Sequence, residues 1–235
     1  MDRRCGFGPV HGSTVARGRV SGKHDVREGG VTGWIPLAVE VDGPPIPVPG
    51  IGRIVGKDDV RKRRAYVCGG RAIIAVDVGN NTYSFGRYFE TRGQRVLMSG
   101  SLGSIGFALP AAMGAWAATQ DFEWLRGRKV ISISGDGGLR QYVMELTTAV
   151  KYEMDITHVL LHNRELGKIS KEQRAGEWPV WQTSLHNPSF TALAKSCGAH
   201  ARRVGPADDM TTSIEEALAH EGPALVEIMT DPLQN

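Results

Sequence analysis

The sequence predicts an α/β fold: a three-layer α/β/α domain around a mostly parallel, doubly wound sheet, carrying a poorly ordered N-terminal extension. Three observations carry this prediction. After residue 70, short β-branched apolar runs alternate with stretches of helical period, which is the alternation of parallel sheets covered on both faces. Two of those runs end in residues suited to binding, Asp136 and Asn163. Residues 1–70, by contrast, are rich in Gly, Pro and Arg and sustain no helical period.

That first region holds 12 Lys+Arg against 7 Asp+Glu, whereas residues 71–235 hold 16 against 18, so the charge balance changes sign where the pattern changes. Short strands are conceivable at 34–41 and 51–55, but the stretch offers little apolar surface against its conformational entropy. It is expected to be poorly ordered, and the basic cluster Arg61-Lys62-Arg63-Arg64 is read as a solvated linker.

The second region, 71–235, is expected to be the folded domain. Residues 72–78 (AIIAVDV) read as a buried strand giving way at Gly79-Asn80-Asn81-Thr82 to a ligand-facing loop. Residues 100–106 form a small-residue loop, and 107–119 an Ala-rich helix with Pro110 in its first turn. A strand at 130–134 leads into the turn Gly135-Asp136-Gly137-Gly138. A helix starting near Leu139 then places Leu139, Val143, Leu146 and Val150 on one face. The strand 156–161 delivers Asn163. A short helix over 168–173, a loop with Trp178 and Trp181, a helix after Asn187-Pro188, a strand at 201–204, a helix over 206–220 and a strand at 224–229 complete the chain.

The central unit, 130–163, carries the chemistry. Amide N–H groups of a glycine turn opening a helix attract anions. A carboxylate in the same turn, Asp136, would repel a phosphate unless a cation lay between them. Asp136 and the amide oxygen of Asn163 are hard oxygen donors suited to Mg2+, so the unit is predicted to bind a diphosphate through a divalent metal.

Asn163 lies 27 positions after Asp136, and a GDG triplet followed at such a distance by Asn resembles the thiamine-diphosphate signature. DVGNNTYSFGRYF, GSLGSIGFALPAAMGA, ELTTAVKY and ELGKISKEQRAG resemble the pyruvate oxidase and acetolactate synthase branch of that superfamily, over about residues 72–230. The resemblance implies Mg2+ bound by the side chains of Asp136 and Asn163 and by the main-chain carbonyl of Glu165. It implies diphosphate contacts from Gly137 and Gly138, closed over by Leu166 and Gly167, with Val78, Gly79, Asn80 and Asn81 on the opposite side. Gly103 matches the position whose carbonyl meets the cofactor's 4′-amino group, and Ile105 the apolar prop that bends the cofactor. The implied reaction is decarboxylation of a 2-oxo acid such as pyruvate, the remaining carbon unit passing to an oxidant or a second carbonyl.

Two departures concern the site. His162 stands where the family usually has the first of two Asn, and is read as a packing residue. Extra residues around 121–128 are read as a longer surface loop. A larger departure is that residues 1–70 resemble neither the pyrimidine-binding domain, whose Glu activates the cofactor, nor the middle domain that holds FAD in pyruvate oxidases. FAD is therefore expected only in a complete enzyme and not mainly on this chain. The chain is expected to supply half of an active site, to need a pyrimidine-binding domain on another chain or subunit in a homo- or hetero-oligomer, and to have no catalytic residue or activity alone. The alternative is a truncated remnant or partner subunit that binds cofactor only.

The remaining features exclude other classes. A formal charge of +3 without a basic stripe gives no argument for nucleic acid. Cys5, Cys68 and Cys197 are scattered, which suits neither a disulfide framework nor a zinc site. Cys197 is expected in the core, Trp178 and Trp181 in a partner-facing or packed loop, and His158, His186 and His220 show no ligand spacing. No apolar run is long enough for a membrane helix, and the expected location is the cytoplasm.

Overall fold

In the computed structural model, described for residues 71–232 apart from 90 and 92, six strands form one all-parallel sheet. They are β1 (Ile73–Val76), β2 (Arg95–Met98), β3 (Val130–Gly135), β4 (Ile156–His162), β5 (His200–Val204) and β6 (Ala224–Met229), in the order β2-β1-β3-β4-β6-β5. From β1 the chain adds β2 on one side, then crosses to β3 on the other. Such a reversal opens a crevice at the carboxyl ends of the two strands concerned, here β1 and β3.

Helices cover both faces of the sheet. In chain order they are α1 (Asn80–Tyr88), α2 (Ala108–Asp121), α3 (Asp136–Tyr142), α4 (Glu145–Lys151), α5 (Gly167–Ala175), α6 (Phe190–Ser196) and α7 (Met210–Ala219). On one face Ile74, Val76, Ile131, Ile133, Val159, Val226 and Ile228 pack with Phe85 of α1 and with Ile214 and Ala217 of α7. On the other, Ile73, Ala75 and Val130 pack under α2, while Leu160 and Leu225 pack with Leu139, Leu146, Phe190 and Ala194. The three-layer α/β/α class is the one the sequence predicts.

Three local differences have physical causes. The loop expected at 79–82 is instead the start of α1, because Asn81 Nδ2 (2.9 Å) and the Thr82 hydroxyl both donate to the carbonyl of Asp77 and staple strand end to helix start. Strand β2 escaped the pattern because it is four residues long, at the sheet edge, with Arg95 and Met98 exposed. The helix expected from Leu139 begins at Asp136 and is interrupted at Val143 and Met144, whose carbonyls accept from Leu146 and Thr147 in tighter i→i+3 bonds. Its apolar phase survives the interruption: Leu139 and Leu146 are buried, with Val143 and Val150 against the same cluster. The readings at 34–41, 51–55 and 61–64, and the order of residues 1–70 as a whole, lie outside the described residues.

Candidate active site at the carboxyl ends of β1, β3 and β4

Alternation along β3 turns Ser132, Ser134 and then Asp136 to the same face, so the acid arrives at the crevice as the next residue in that series. Asp136 is buried. Its Oδ2 accepts from Arg164 N (2.7 Å) and Asn187 Nδ2 (2.6 Å), and its Oδ1 from Gly137 N (3.1 Å). One carboxylate thus ties the tip of β3 to the turn after β4. Burial pushes its pKa above the ordinary value, and the opposing hydrogen bonds and the His162 ring do not cancel that push. A cation bound beside it would favour the ionised form.

The turn after β4 is built to face it. Arg164 sits in the left-handed region (φ 61°), which bends the chain sharply past Asn163. Asn163 Oδ1 accepts from Glu165 N (3.0 Å). The Glu165 carboxylate is turned to Arg174 (3.5 Å), and the segment is clamped by Leu166 N to Thr183 O (2.8 Å) and Leu185 N to Arg164 O (2.7 Å). Gly167 is buried at the start of α5.

Glycines 137 and 138 let distant loops close on the turn. A Cβ on Gly137 would lie 2.8 Å from Leu166 Cδ2, 3.4 Å from Leu185 Cδ1 and 3.7 Å from Ile105 Cδ1. A Cβ on Gly138 would collide with Asp77 Oδ2. The structure therefore brings Ile105, Asp136, Gly137, Gly138 and Leu166 together. Gly103 lies exposed on the same loop as Ile105. Val78, Gly79 and Asn80 are half-buried where α1 begins; Asn80 Nδ2 is a buried donor with no partner, whereas the Asn81 amide is occupied by the Asp77 carbonyl.

Asp77 is the site residue that sequence reasoning passed over. It reads as part of the buried strand 72–78, whose local pattern gives it no role. Its Oδ1 accepts from Val78 N (2.7 Å), Gly106 N (2.8 Å) and Phe107 N (3.3 Å), which pins the Ile105 loop to β1. Its Oδ2 is buried and unpaired, and burial holds its pKa above the ordinary value against those amide bonds. Asn187, met in the sequence only as a helix start, is the second omission, and Glu227 beside His162 the third.

The donor set suits a hard cation and an anionic ligand. Among the described residues no three His, Cys, Asp or Glu side chains gather as a metal site. One carboxylate, one amide oxygen and one main-chain carbonyl make a different set, of the oxygen-only kind that Mg2+ takes. The unpaired Asn80 donor and the glycine-lined turn fit a phosphate beside it.

Other singled-out residues lie away from this cluster or serve the core. His162 is buried, with Nδ1 2.7 Å from Glu227 Oε1. His158 is buried, His186 exposed, and His220 stacks on His200 at 4.8 Å. Cys197 packs at the edge of a core cluster. Trp178 and Trp181 are 70% and 71% exposed, the main chain of Trp181 being held by Gln173. The insertion at 121–128 folds as a 3-10 turn (Glu123–Leu125) with Leu125 buried and Trp124 outside. Among the described residues no helix is long and apolar enough to cross a membrane.

Comparison with known proteins gives the family. Residues 77–228 match the family model described as thiamine pyrophosphate enzyme, C-terminal TPP binding domain. YdaP of Bacillus subtilis, whose name describes a thiamine pyrophosphate-containing protein, is 35% identical over 67% of this chain and 27% of its own length. Acetolactate synthase isozyme 2 large subunit of Escherichia coli is 31% identical over 69% of this chain and 29% of its own length. Acetolactate synthase 1, chloroplastic, of Nicotiana tabacum is 34% identical over 68% and 25% respectively. The chain spans about a quarter of the length of these relatives. It belongs to the thiamine-pyrophosphate enzymes of the pyruvate oxidase and acetolactate synthase branch, and carries their C-terminal cofactor-binding domain.

Proposed function

We propose that this domain holds thiamine diphosphate through Mg2+ as part of an enzyme that decarboxylates a pyruvate-like 2-oxo acid. The observation that carries the proposal is the buried Asp136, raised in pKa and linked to the turn that bears Asn163 and Glu165. Asp136, the Asn163 side chain and the Glu165 carbonyl would hold the metal. Gly137 and Gly138 would meet the diphosphate from one side, Val78, Gly79, Asn80 and Asn81 from the other, with Leu166 and Gly167 above it. Gly103 and Ile105 would receive the pyrimidine end, Ile105 propping it and excluding water.

When bound, the cofactor supplies the electron sink into which a 2-oxo acid loses CO2. This chain's own contribution is to bind and orient, and the acid that activates the pyrimidine ring would come from elsewhere. That group belongs to a pyrimidine-binding domain on another chain or subunit, in a homo- or hetero-oligomer. The two-carbon unit would pass to a second carbonyl, the reaction named for the acetolactate synthase relatives. Passage to an oxidant with FAD held elsewhere is the pyruvate oxidase variant.

Calorimetric titration of the chain with thiamine diphosphate tests the site. Binding is expected to require Mg2+ and to be lost in Asp136→Ala. Unchanged affinity in that variant would sink the assignment. With cofactor, Mg2+ and pyruvate the chain alone is expected to release no CO2 until a pyrimidine-binding domain is added. Turnover without one would overturn the half-site reading, and binding without activity beside every such domain would favour a cofactor-binding remnant.

A further inference from the structure

Behind Asp136 runs a chain of buried polar groups to which the cofactor site assigns no task. Glu227 is 0% and His162 2% exposed, both on the inward face of neighbouring strands β6 and β4. Glu227 is gripped from outside by Arg203, whose Nε meets Oε2 and whose Nη2 meets Oε1, each at 3.0 Å. Thr191 N adds a bond to Oε2 (3.1 Å), and its hydroxyl a second. Glu227 Oε1 lies 2.7 Å from His162 Nδ1. His162 Nε2 lies 3.1 Å from Asn187 Nδ2, which is 2.6 Å from Asp136 Oδ2. The edge of the His162 ring packs on Phe190 at 5.5 Å, fixing its plane.

The hydrogens in this chain are determined by chemistry. An ionised Glu227 only accepts, so His162 Nδ1 must carry a proton. Asn187 cannot present its oxygen to the Asp136 carboxylate, so its NH2 group faces Oδ2, and its second hydrogen points to His162 Nε2. Nε2 is then the acceptor, which is the arrangement of the Nδ1–H tautomer. At the far end, Asp136 Oδ2 receives two donors, Asn187 Nδ2 and Arg164 N, whereas Oδ1 receives Gly137 N alone. A carboxylate oxygen offers two lone pairs. Oδ1 is the less occupied of the two oxygens.

We propose that Asn187, oriented by His162, Glu227 and Arg203, is a positioning residue that fills Asp136 Oδ2 and so presents Oδ1 to the divalent cation. Ligating carboxylates are commonly steered by such outer partners, whose loss weakens metal binding about 10- to 100-fold. The inference rests on the function proposed above, and extends it to four residues outside the cofactor pocket.

Two measurements on the full chain test it. Long-range 1H–15N spectra of 15N-histidine-labelled protein, at fixed pH and without metal, are expected to show His162 as the Nδ1–H tautomer. The Nε2–H tautomer would overturn the relay. Calorimetry of thiamine diphosphate binding across a Mg2+ series is then compared for wild type and Asn187→Ala. The variant is expected to need about 10- to 100-fold more Mg2+ and to recover wild-type cofactor affinity once Mg2+ saturates. A merely structural role would lower affinity at every Mg2+ concentration, and that result would overturn the proposal. Wild-type binding with an unchanged Mg2+ requirement in Asn187→Ala would overturn this inference alone. Failure of the wild type to bind in Mg2+ would overturn the site reading and this inference with it. Should Asn187→Ala not fold, Asn187→Leu, which removes the donor at nearly the same volume, takes its place with the same outcomes, and an unchanged Mg2+ requirement in Glu227→Gln would likewise count against the relay.

Discussion

The two faces of the sheet are made from the same strands and differ almost completely in chemistry. The face under α1 and α7 is aliphatic, and its one buried strand hydroxyl, Thr157, donates to the Ala217 carbonyl at 3.1 Å. The face under α2, α3, α4 and α6 carries Asp77, Ser132, Ser134, Asp136, His158, His162 and Glu227, all buried and each at an alternate position from an aliphatic neighbour. At the carboxyl ends Asp136, His162 and Glu227 are bonded to one another's partners while Asp77 keeps Oδ2 unpaired, and deeper in Ser132 Oγ and His158 Nδ1 are unpaired. One face anchors the sheet, and the other gives up packing to hold groups at the crevice.

That contrast predicts its largest effect on the dry face. Ile131, 1% exposed and surrounded by aliphatic side chains, should cost about 2–5 kcal/mol when cut to alanine. Urea unfolding measures this. Calorimetry on the folded variant should find thiamine diphosphate affinity unchanged, and a matching loss of affinity would show that the faces are not independent.

A second effect lies in acid and belongs to the polar face. Burial lowers the pKa of His158 to about 3, so the folded chain keeps it neutral where an unfolded chain, near 6.5, takes up a proton. Its contribution is therefore fully present above about pH 6.5 and lost as pH falls towards 3, by up to about 1.4 kcal/mol per pH unit. Glu227 acts lower: burial works to raise it, but bonds from His162, Arg203 and Thr191 outweigh burial and bring it to about 2 from 4.5. Its contribution is lost between those values. In His158→Val, stability measured against pH should flatten between about 6.5 and 4.5 while the steeper loss below 4.5 remains. An unchanged slope would exclude His158 as its source.

At the meeting of the two carboxylate-bearing tips, Gly138→Ala should cost about 1–3 kcal/mol by overpacking against Asp77. In an Asp77→Ala background the same change should cost less, since the colliding oxygen is gone. Additive costs in that double-mutant cycle would mean that Gly138 is required for another reason.

How much of this was legible follows the same division. Apolar runs announced β1, β3, β4 and β6 because strands buried on both faces read as continuous apolar stretches. The GDG turn and Asn163 were legible because their spacing is local. Asp77, Asn187 and Glu227 were not, since each acquires its role only when parallel pairing brings strands and loops distant in sequence together. The Asp136–Asn187 bond joins residues 51 positions apart and the His162–Glu227 contact residues 65 apart. His162 is read as a packing residue, but packing alone does not describe a ring bonded on both nitrogens.

The smallest effect is the most diagnostic. Ser132 is wholly buried, its hydroxyl has no partner, and it sits in register with His158, whose Nδ1 is also unpaired. An unsatisfied buried hydroxyl costs desolvation that a methyl group does not. Ser132→Ala should therefore leave stability unchanged or raise it by up to about 1 kcal/mol in urea unfolding. A loss of stability would instead place Ser132 and His158 in one hydrogen-bonded unit with a buried water between them. The polar face would then be satisfied along its whole length, and its deep residues would belong to the same network as its tips.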